Sequence, residues 1–213
     1  MSTQAFSISE ALRFGWRTTR AHFWFFVQVL LIMALITYGP ALIMDSFDDV
    51  ALPTLATLFF FFAGVVLWVI QLLLSIGLIQ IVLTHVDNRK ANLEDLFTGG
   101  RFLVNYFLGS VLYGLAVMGG LILLIVPGII VAVRAQFYQY LIIDKNMGPL
   151  EALQKSWHIT RGSFWNLAVL WLAVVVINIL GILALGIGLL WSIPTTVLAM
   201  GWVYRRLSQK AHA

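Results

Sequence analysis

The feature that most constrains this chain is a series of six apolar stretches, each close to the length that crosses a membrane. Crossing about 30 Å of hydrocarbon takes about 20 helical residues. Within lipid, every backbone polar group must be hydrogen-bonded inside the protein, which favours helices. The sequence therefore predicts an all-α integral membrane protein with six transmembrane helices, at residues 23–44, 54–84, 102–126, 128–143, 164–183 and 187–204.

The composition agrees with a membrane protein and excludes several other classes. Hydrophobic residues make up 61% of the 213 residues and charged residues 10%, whereas soluble domains are about 45–50% apolar and about 25% charged. A chain of this size cannot bury so much apolar surface within itself, so the remainder is expected to face lipid. The absence of cysteine excludes disulfides, thiolate metal ligands and a cysteine nucleophile.

The distribution of Lys and Arg predicts the orientation. Alternate segments between the spans are rich in basic residues, and cytoplasmic loops are the ones enriched in Lys and Arg. We therefore expect a multi-pass protein of the bacterial cytoplasmic (inner) membrane with both termini in the cytoplasm and no removable signal peptide. The net charge of +4 follows from this topology, so no nucleic-acid partner is expected. Three basic residues are found in each of the segments 1–22, 85–101, 144–163 and the C-terminal tail, and none is found in 45–53, 127–128 or 184–186.

An internal repeat predicts the domain organisation. Residues 10–24 read EALRFGWRTTRAHFW and residues 151–165 read EALQKSWHITRGSFW, and residues 92–106 form a weaker third member. Each copy precedes a predicted span, which is typical of parallel repeats around an axis along the membrane normal. The prediction is a single polytopic domain, 1–213, with three units, each a short amphipathic helix followed by a helical hairpin. The units cover approximately 7–90, 91–147 and 148–208.

Each clear copy of the repeat has the pattern of an amphipathic helix. Such helices lie at the membrane interface, with rings and alkyl groups toward lipid and cations toward anionic headgroups. Two interpretations stay open: the helices frame the fold only, or they form a headgroup site from Arg20, Arg161, Trp16 and Trp157. The predicted apolar stripes are Leu12, Trp16, Thr19 and Phe23 in the first copy and Leu153, Trp157, Thr160 and Phe164 in the second, and the first copy also has a cationic stripe of Arg13, Arg17 and Arg20.

Several motifs carry a resemblance to a known family. They are the repeated Trp-x-x-Thr-Arg-x-x-Phe-Trp and the segments IVPGIIVAVR (125–134), LIID (141–144) and EALQKSW (151–157). In these motifs the chain resembles the YciC-like bacterial inner-membrane proteins and the related membrane domain of some glycerophosphoryl diester phosphodiesterases. The resemblance implies a polytopic protein of the cytoplasmic membrane in a largely uncharacterised family. In the fused proteins the phosphodiesterase chemistry belongs to a separate soluble domain, so the resemblance implies no catalysis here.

Arg134 is the one basic residue predicted to lie within a span. An unpaired charge there costs at least about 2.5–3.5 kcal/mol, so the side chain needs a partner. One interpretation is a structural staple, with Arg134 reaching outward to lipid phosphates or to the acidic loop of Asp45, Asp48 and Asp49. The other interpretation is an anion site in a polar cleft. The further polar groups would come from Gln136, Tyr138, Gln139 and Tyr140.

The sequence contains no recognisable catalytic constellation. Its four histidines lack metal-ligand spacing, and the aspartate loop, although its oxygens suit a divalent cation, is interpreted as an exposed loop. The prediction is a non-enzymatic protein, without cofactor or metal, that binds anionic phospholipid headgroups or partner proteins, including a second copy of itself, in envelope homeostasis. Two alternatives stay open: a small transporter or channel for an anionic or amphipathic substrate, and an intramembrane enzyme acting on lipid headgroups. The histidines are His22, His85, His158 and His212.

Overall fold

The computed structural model describes residues 6–45 and 53–211, and these are helical apart from short connections, with no strand among them. A single 3-10 helix follows the third α-helix and leads directly into the fourth. The elements in chain order are α1 (Ile8–Ala21), α2 (Phe23–Asp45), α3 (Thr54–Val86), the 3-10 helix (Leu93–Phe102), α4 (Leu103–Leu123), α5 (Ile125–Ala135), α6 (Tyr138–Lys145), α7 (Pro149–Ile159), α8 (Phe164–Leu183) and α9 (Leu189–Lys210).

Within the described ranges, five helical segments are long and apolar enough to cross a membrane, one fewer than the six predicted. The stretch that does not qualify is the last, which forms α9. This helix is less apolar because it contains Ser192, Thr195 and Thr196 and ends in basic residues. Those three polar side chains are buried, so this part of α9 packs against protein. The five candidates are Phe23–Leu42, Thr54–Val86, Leu93–Leu123, Ile125–Lys145 and Phe164–Leu183.

The turn between α4 and α5 differs from the sequence prediction. In the sequence, Pro127–Gly128 and the glycine-rich run 181–188 each indicate a hairpin turn within apolar residues. At the first of them the chain breaks earlier, at Leu124, whose φ and ψ are −166° and 151°. Pro127 instead lies in the first turn of α5, where a helix does not need its missing N–H. The second predicted turn is confirmed: α8 and α9 are joined by residues 184–188, in which Gly186 has φ +75°.

The second apolar stretch is long for one crossing, so the sequence favours either an extension beyond the membrane or a bend near Gly77; it forms the single helix α3. The helix runs unbroken through 33 residues, which is about 50 Å at 1.5 Å per residue. A Cβ atom on Gly77 would overlap the backbone of Leu96 in the 3-10 helix. The glycine therefore permits close contact between two elements, a common use of small residues where helices pack.

Burial divides the molecule into an exposed apolar part and a packed core. Large apolar side chains are exposed along much of α2, α4, α8 and the first half of α3, for example Leu35 at 72% and Ile122 at 81%. The core is built around α9 and the last turns of α3, with Leu198, Tyr204 and Ile81 fully buried. Exposed apolar helices are typical of surfaces that face lipid.

The helices that open the predicted repeat units pack in one common way. α1 contacts α9, the 3-10 helix contacts α3, and α7 contacts α4, α5 and α6. In the first case Gly15 lies against the backbone carbonyl of Thr195, and in the third Ser156 Oγ donates to the carbonyl of Arg134 at 2.9 Å. Each opening helix therefore packs on a helix that lies outside its own unit.

The face of α1 and α7 that packs on protein shares only Thr19 and Thr160 with the stripe predicted to face lipid. Trp16 and Trp157, both placed on that stripe, are 50% and 38% exposed. The residues that pack inward are smaller and occupy matching positions in the two copies, because small side chains let helices approach closely. They are Ala11, Gly15 and Thr19 in α1 and Ala152, Ser156 and Thr160 around the end of α7.

Candidate functional site

A large cleft in the described part of the chain is strongly cationic. It has a volume of about 1140 Å³ and lies between the outward face of α1, the end of α3 with the loop that follows, and the C-terminal half of α9. We call it the cationic cleft and define it by its six basic side chains. These are Arg13, Arg17 and Arg20 from α1, Arg89 and Lys90 from the loop, and Arg206 from α9.

The arginines of α1 share one face for a simple geometric reason. Arg13, Arg17 and Arg20 are spaced i, i+4 and i+7, and residues at that spacing lie one above another on a helix. All three are exposed, because the opposite face of α1, around Gly15, packs on α9. Close packing of the small face therefore presents the cationic face to the cleft.

A residue in the left-handed backbone conformation shapes the wall of the cleft that lies opposite α1. Asn88 has φ +56°, a conformation that asparagine tolerates better than most residues and that commonly ends helices. The amide of Arg89 then donates back to the carbonyl of Thr84 at 2.9 Å. This turn ends α3 and places Arg89 and Lys90 at the rim, opposite α1.

The positive charge of the cleft is only partly compensated. Among the residues that line it, Glu10 is the one carboxylate. Within the described ranges, Arg13, Arg17 and Arg20 form no salt bridge, whereas Arg89 pairs with Asp87 at 2.9 Å. Like charges held close together attract anions and raise their local concentration. The arrangement can therefore hold an anionic group without first breaking ion pairs of α1.

Two histidines meet at one end of the cationic cleft. The rings of His22 and His85 lie 5.1 Å apart, edge to face, and both residues line the cleft. Since the carbonyl of Ile81 only accepts, Nδ1 of His85 donates to it at 2.9 Å. Phe25 and Phe26 pack against the His85 ring. No sequence spacing predicted this pair, because 63 positions of chain separate two residues that packing brings together.

A network around Arg205 ties three helices together behind the cleft. Its guanidinium donates to Asp87 at 2.8 Å and to both carboxylate oxygens of Asp144 at 3.0 Å. Tyr204 donates to Asp144 at 2.8 Å. Burial alone would lower the pKa of Arg205, but the carboxylates of Asp144 and Asp87 outweigh it and raise that pKa. The network connects the end of α3, α6 and α9, and through Asp87 it also holds Arg89.

A smaller mixed-charge cleft of about 310 Å³ adjoins this network. It is lined by three carboxylates, including Asp95, and by three arginines, including Arg101. The opposite charges in it are largely paired with each other, as in the bond of Arg205 to Asp87. We therefore place the candidate site in the cationic cleft, where the charge is unbalanced.

Of the four residues of the predicted headgroup site, Arg20 lines the cationic cleft, whereas Trp16, Trp157 and Arg161 do not. Trp16 packs with Trp191 at 5.3 Å between ring centroids. Arg161 is exposed in the connection between α7 and α8. The predicted site of Arg20, Arg161, Trp16 and Trp157 is therefore not assembled as one group.

Arg134 is held by α7. Its guanidinium carbon lies 4.4 Å from the centroid of the Trp157 ring, a cation–π distance, and its carbonyl accepts hydrogen bonds from Ser156 and Thr160. The side chains of the acidic loop, Asp45, Asp48 and Asp49, lie outside the described residues, so the predicted pairing with them stays a prediction. Arg134 lines neither of the two clefts.

The polar neighbours proposed for an Arg134 site bond to other parts of the protein. Gln136 donates to the carbonyl of Val133 at 2.8 Å. Tyr138 donates to Ser110 and accepts from Gln139. These contacts fit a packing role, as buried polar side chains usually have protein partners.

Sequence reasoning missed most of the cleft and all of the Arg205 network. Asp144 belongs to the LIID motif and the two arginines at the end of α9 were counted for topology, but neither pattern indicated a shared location. Asp87 carried no signal at all. What places them together is the packing of α3, α6 and α9 around Tyr204 and Gly201, where Val82 and Tyr140 approach the glycine.

Comparison with known proteins now gives the chain a family. A family model described as "Protein of unknown function (DUF975)" matches residues 105–211, half of the chain. The chain belongs to this family. The match covers α4 to α9 almost completely, including Asp144, Arg205 and Arg206, whereas α1 and α3 lie before it.

The chain is also similar to uncharacterized mycobacterial proteins. It is 24% identical over 160 residues to one from Mycobacterium bovis and to one from Mycobacterium tuberculosis, a similarity that covers 75% of this chain and 49% of each relative. The chain thus spans about half the length of the curated relatives it matches. No solved structure matches it. The expectation of an uncharacterised family is confirmed, and the resemblance to YciC-like proteins and to phosphodiesterase membrane domains stays a prediction.

Proposed function

We propose that this protein is a non-enzymatic, multi-pass protein of the bacterial cytoplasmic membrane that binds anionic phospholipid headgroups in its cationic cleft. Both termini lie in the cytoplasm in this proposal, and the role served is envelope homeostasis. The single observation that carries it is the cleft itself, with six basic side chains and one carboxylate. Phosphate groups are strong acceptors for guanidinium donors, which bind them through paired hydrogen bonds.

The basic residues of the cationic cleft attract anionic lipid with an energy of several kcal/mol. Each Lys or Arg near an anionic membrane surface contributes about 1 kcal/mol to its attraction, within about 10 Å at moderate salt. Several such residues in one cleft therefore favour a phosphate headgroup over neutral lipid by several kcal/mol. Phe14 and Trp202, which also line the cleft, offer apolar contacts for the glycerol and upper acyl region beside the phosphate.

The proposed topology has six spans, with α9 as the sixth. Its polar side chains have partners that make an interior position tolerable: Ser192 donates to Asn178 at 2.9 Å, and Thr196 donates to the carbonyl of Ser192. A helix surrounded by other helices need not be as apolar as one that faces lipid. The positive-inside rule then places the cationic cleft on the cytoplasmic side.

We further propose that the three units close into a ring. In support, the opening helix of each unit packs on the preceding unit: α1 on α9, the 3-10 helix on α3, and α7 on α4, α5 and α6. Such a pattern is what a pseudo-threefold axis along the membrane normal would produce. The opening helices then lie at the cytoplasmic interface, where α1 presents its arginines.

Native mass spectrometry of the detergent-extracted protein tests the lipid-binding proposal. The cleft variant carries Arg17→Gln, Arg20→Gln and Arg206→Gln, and the control carries Lys155→Gln, Arg161→Gln and Lys210→Gln, which removes the same charge from residues that do not line the cleft. We expect copurified anionic lipid on the wild type and the control, and loss of most of it from the cleft variant. Equal lipid occupancy in all three proteins would refute the proposal.

A further inference from the structure

The charge of the cationic cleft exceeds what one phosphate group requires. A phosphodiester carries one negative charge, and about two or three guanidinium groups are enough to satisfy its two free oxygens. Glu10 lines the cleft and Asp87 pairs with Arg89, so these carboxylates offset two of the six cations. Counting only the residues that the structure describes, four cations remain uncompensated, and a headgroup with one phosphodiester would leave three of them facing one another.

The cations are also spread too widely for a single phosphate. Arg13 and Arg20 are separated by seven residues of α1, which is about 10 Å along the helix axis. Arg206 lies across from them on α9, with its guanidinium 4.9 Å from the centroid of the Trp202 ring. Because Arg206 stacks on this aromatic ring, it has a defined position on its wall. The cleft thus has two walls of positive charge with room between them.

We propose that the cationic cleft binds a lipid with two phosphates in one headgroup, of which cardiolipin is the available example. This inference rests on the proposed lipid-binding function and specifies its ligand. Basic pockets at the cytoplasmic side of membrane helices are suited to such headgroups. Two phosphates linked in one headgroup bind more tightly than two separate phosphates, because binding of the first raises the effective concentration of the second.

The apolar surroundings favour a lipid over a soluble polyphosphate. Phe14 and Trp202 line the cleft together with the cations. The first turns of α2, which carry the exposed Trp24, begin directly after His22 at the end of the cleft. The acyl chains of a bound lipid can therefore pack along an apolar helix, whereas a nucleotide or free polyphosphate has no acyl chain to pack there.

The test compares ligands at equal phosphate concentration. Delipidated full-length protein in uncharged detergent is titrated with tetraoleoyl cardiolipin, with dioleoyl phosphatidylglycerol and with ATP, and the bound fraction is read by native mass spectrometry and by thermal stabilisation. We expect cardiolipin to bind about tenfold or more tightly per phosphate than phosphatidylglycerol. The preference should collapse in an Arg13→Gln, Arg17→Gln, Arg20→Gln variant and survive in the Lys155→Gln, Arg161→Gln, Lys210→Gln control.

The outcomes separate this inference from the proposal beneath it. Equal affinity per phosphate for the two lipids, lost on mutation of the cleft, would overturn the two-phosphate inference and leave lipid binding intact. ATP that binds as tightly as cardiolipin, or displaces it, would overturn the assignment to a lipid. If mutation of the cleft changes the binding of no anionic lipid, both the two-phosphate inference and the lipid-binding proposal are overturned. The single variant Arg206→Gln, whose side chain is exposed, repeats the comparison if the triple variant fails to fold, with the same expected loss of preference.

Discussion

Removing the charge of Asp144 tests whether the Arg205 network holds the packed core together. The substitution Asp144→Asn keeps an oxygen that accepts from Tyr204, whose hydroxyl lies 2.8 Å from the carboxylate. It leaves Arg205 with one charged partner, Asp87, at 2.8 Å. The side chains of Asp144 and Arg205 are 14% and 18% exposed, so this ion pair is closer to a buried one than to a surface one.

The expected loss lies between two limits. Breaking a fully buried ion pair costs about 3–5 kcal/mol, and an exposed pair contributes about 0–1 kcal/mol. Because Asp87 still compensates Arg205, we expect Asp144→Asn to cost about 2 kcal/mol. For a chain of this size that lowers the melting temperature by about 4–8 °C, measured by tryptophan fluorescence on heating in detergent.

A double-mutant cycle decides whether the loss comes from this contact. Arg205→Met removes the partner charge, and the two substitutions together should cost less than the sum of their separate effects, because both remove the same Asp144–Arg205 contact, which can be lost only once. Arg89→Gln serves as the control, since its side chain is 72% exposed and its removal should change stability by less than about 1 kcal/mol. Additive effects, or an Arg89→Gln loss equal to that of Asp144→Asn, would refute the reasoning.

Three further predictions concern packing and charge. Gly15→Ala should lower the free energy of unfolding by about 1–3 kcal/mol, since the new Cβ would overlap the carbonyl of Thr195. Gly114→Ala is the control, because nothing lies within 4 Å of its Cβ, and it should be neutral or stabilising. The order of the two melting temperatures checks both expectations. Ser156→Ala should cost about 1–3 kcal/mol, because Ser156 accepts from the amide of Phe137 at 3.1 Å and donates to Arg134; a melting temperature equal to that of the wild type would contradict this. Binding of anionic lipid should weaken as NaCl rises from about 0.1 to 1 M, because salt screens exposed charges; affinity independent of salt would contradict a cationic site.

The class and the approximate positions of the helices could be predicted from sequence because apolar length is a local property. Five of the six predicted stretches correspond to helical segments that qualify as membrane-crossing. The exception, α9, shows the limit of that signal, since a helix that packs on protein can carry buried groups such as Thr195 and Thr196. The turn placed at Pro127 was wrong by a few residues because proline fits the start of a helix as well as a turn.

The candidate site could be predicted only in part. The repeated pattern identified Arg20 and the cationic face of α1, but it gave no sign that small residues such as Gly15 form the buried face. The lipid-facing position of Trp16 stays a prediction. The contributions of Lys90 and Arg206 depend on how α3 and α9 pack against α1. Contacts between residues so far apart in the chain follow from tertiary packing, which a single sequence does not reveal.

Photocrosslinking tests the central claim, that anionic lipid binds in the cationic cleft, most directly. Purified protein is incubated in vesicles containing an anionic phospholipid with a diazirine in its headgroup, irradiated and digested, and the adducts are mapped by mass spectrometry. The proposal predicts that adducts concentrate in residues 10–22, 85–90 and 202–206 and that excess unlabelled cardiolipin suppresses them. Adducts spread evenly over the cytoplasmic loops, or concentrated around Arg134 and Trp157 instead, would contradict it.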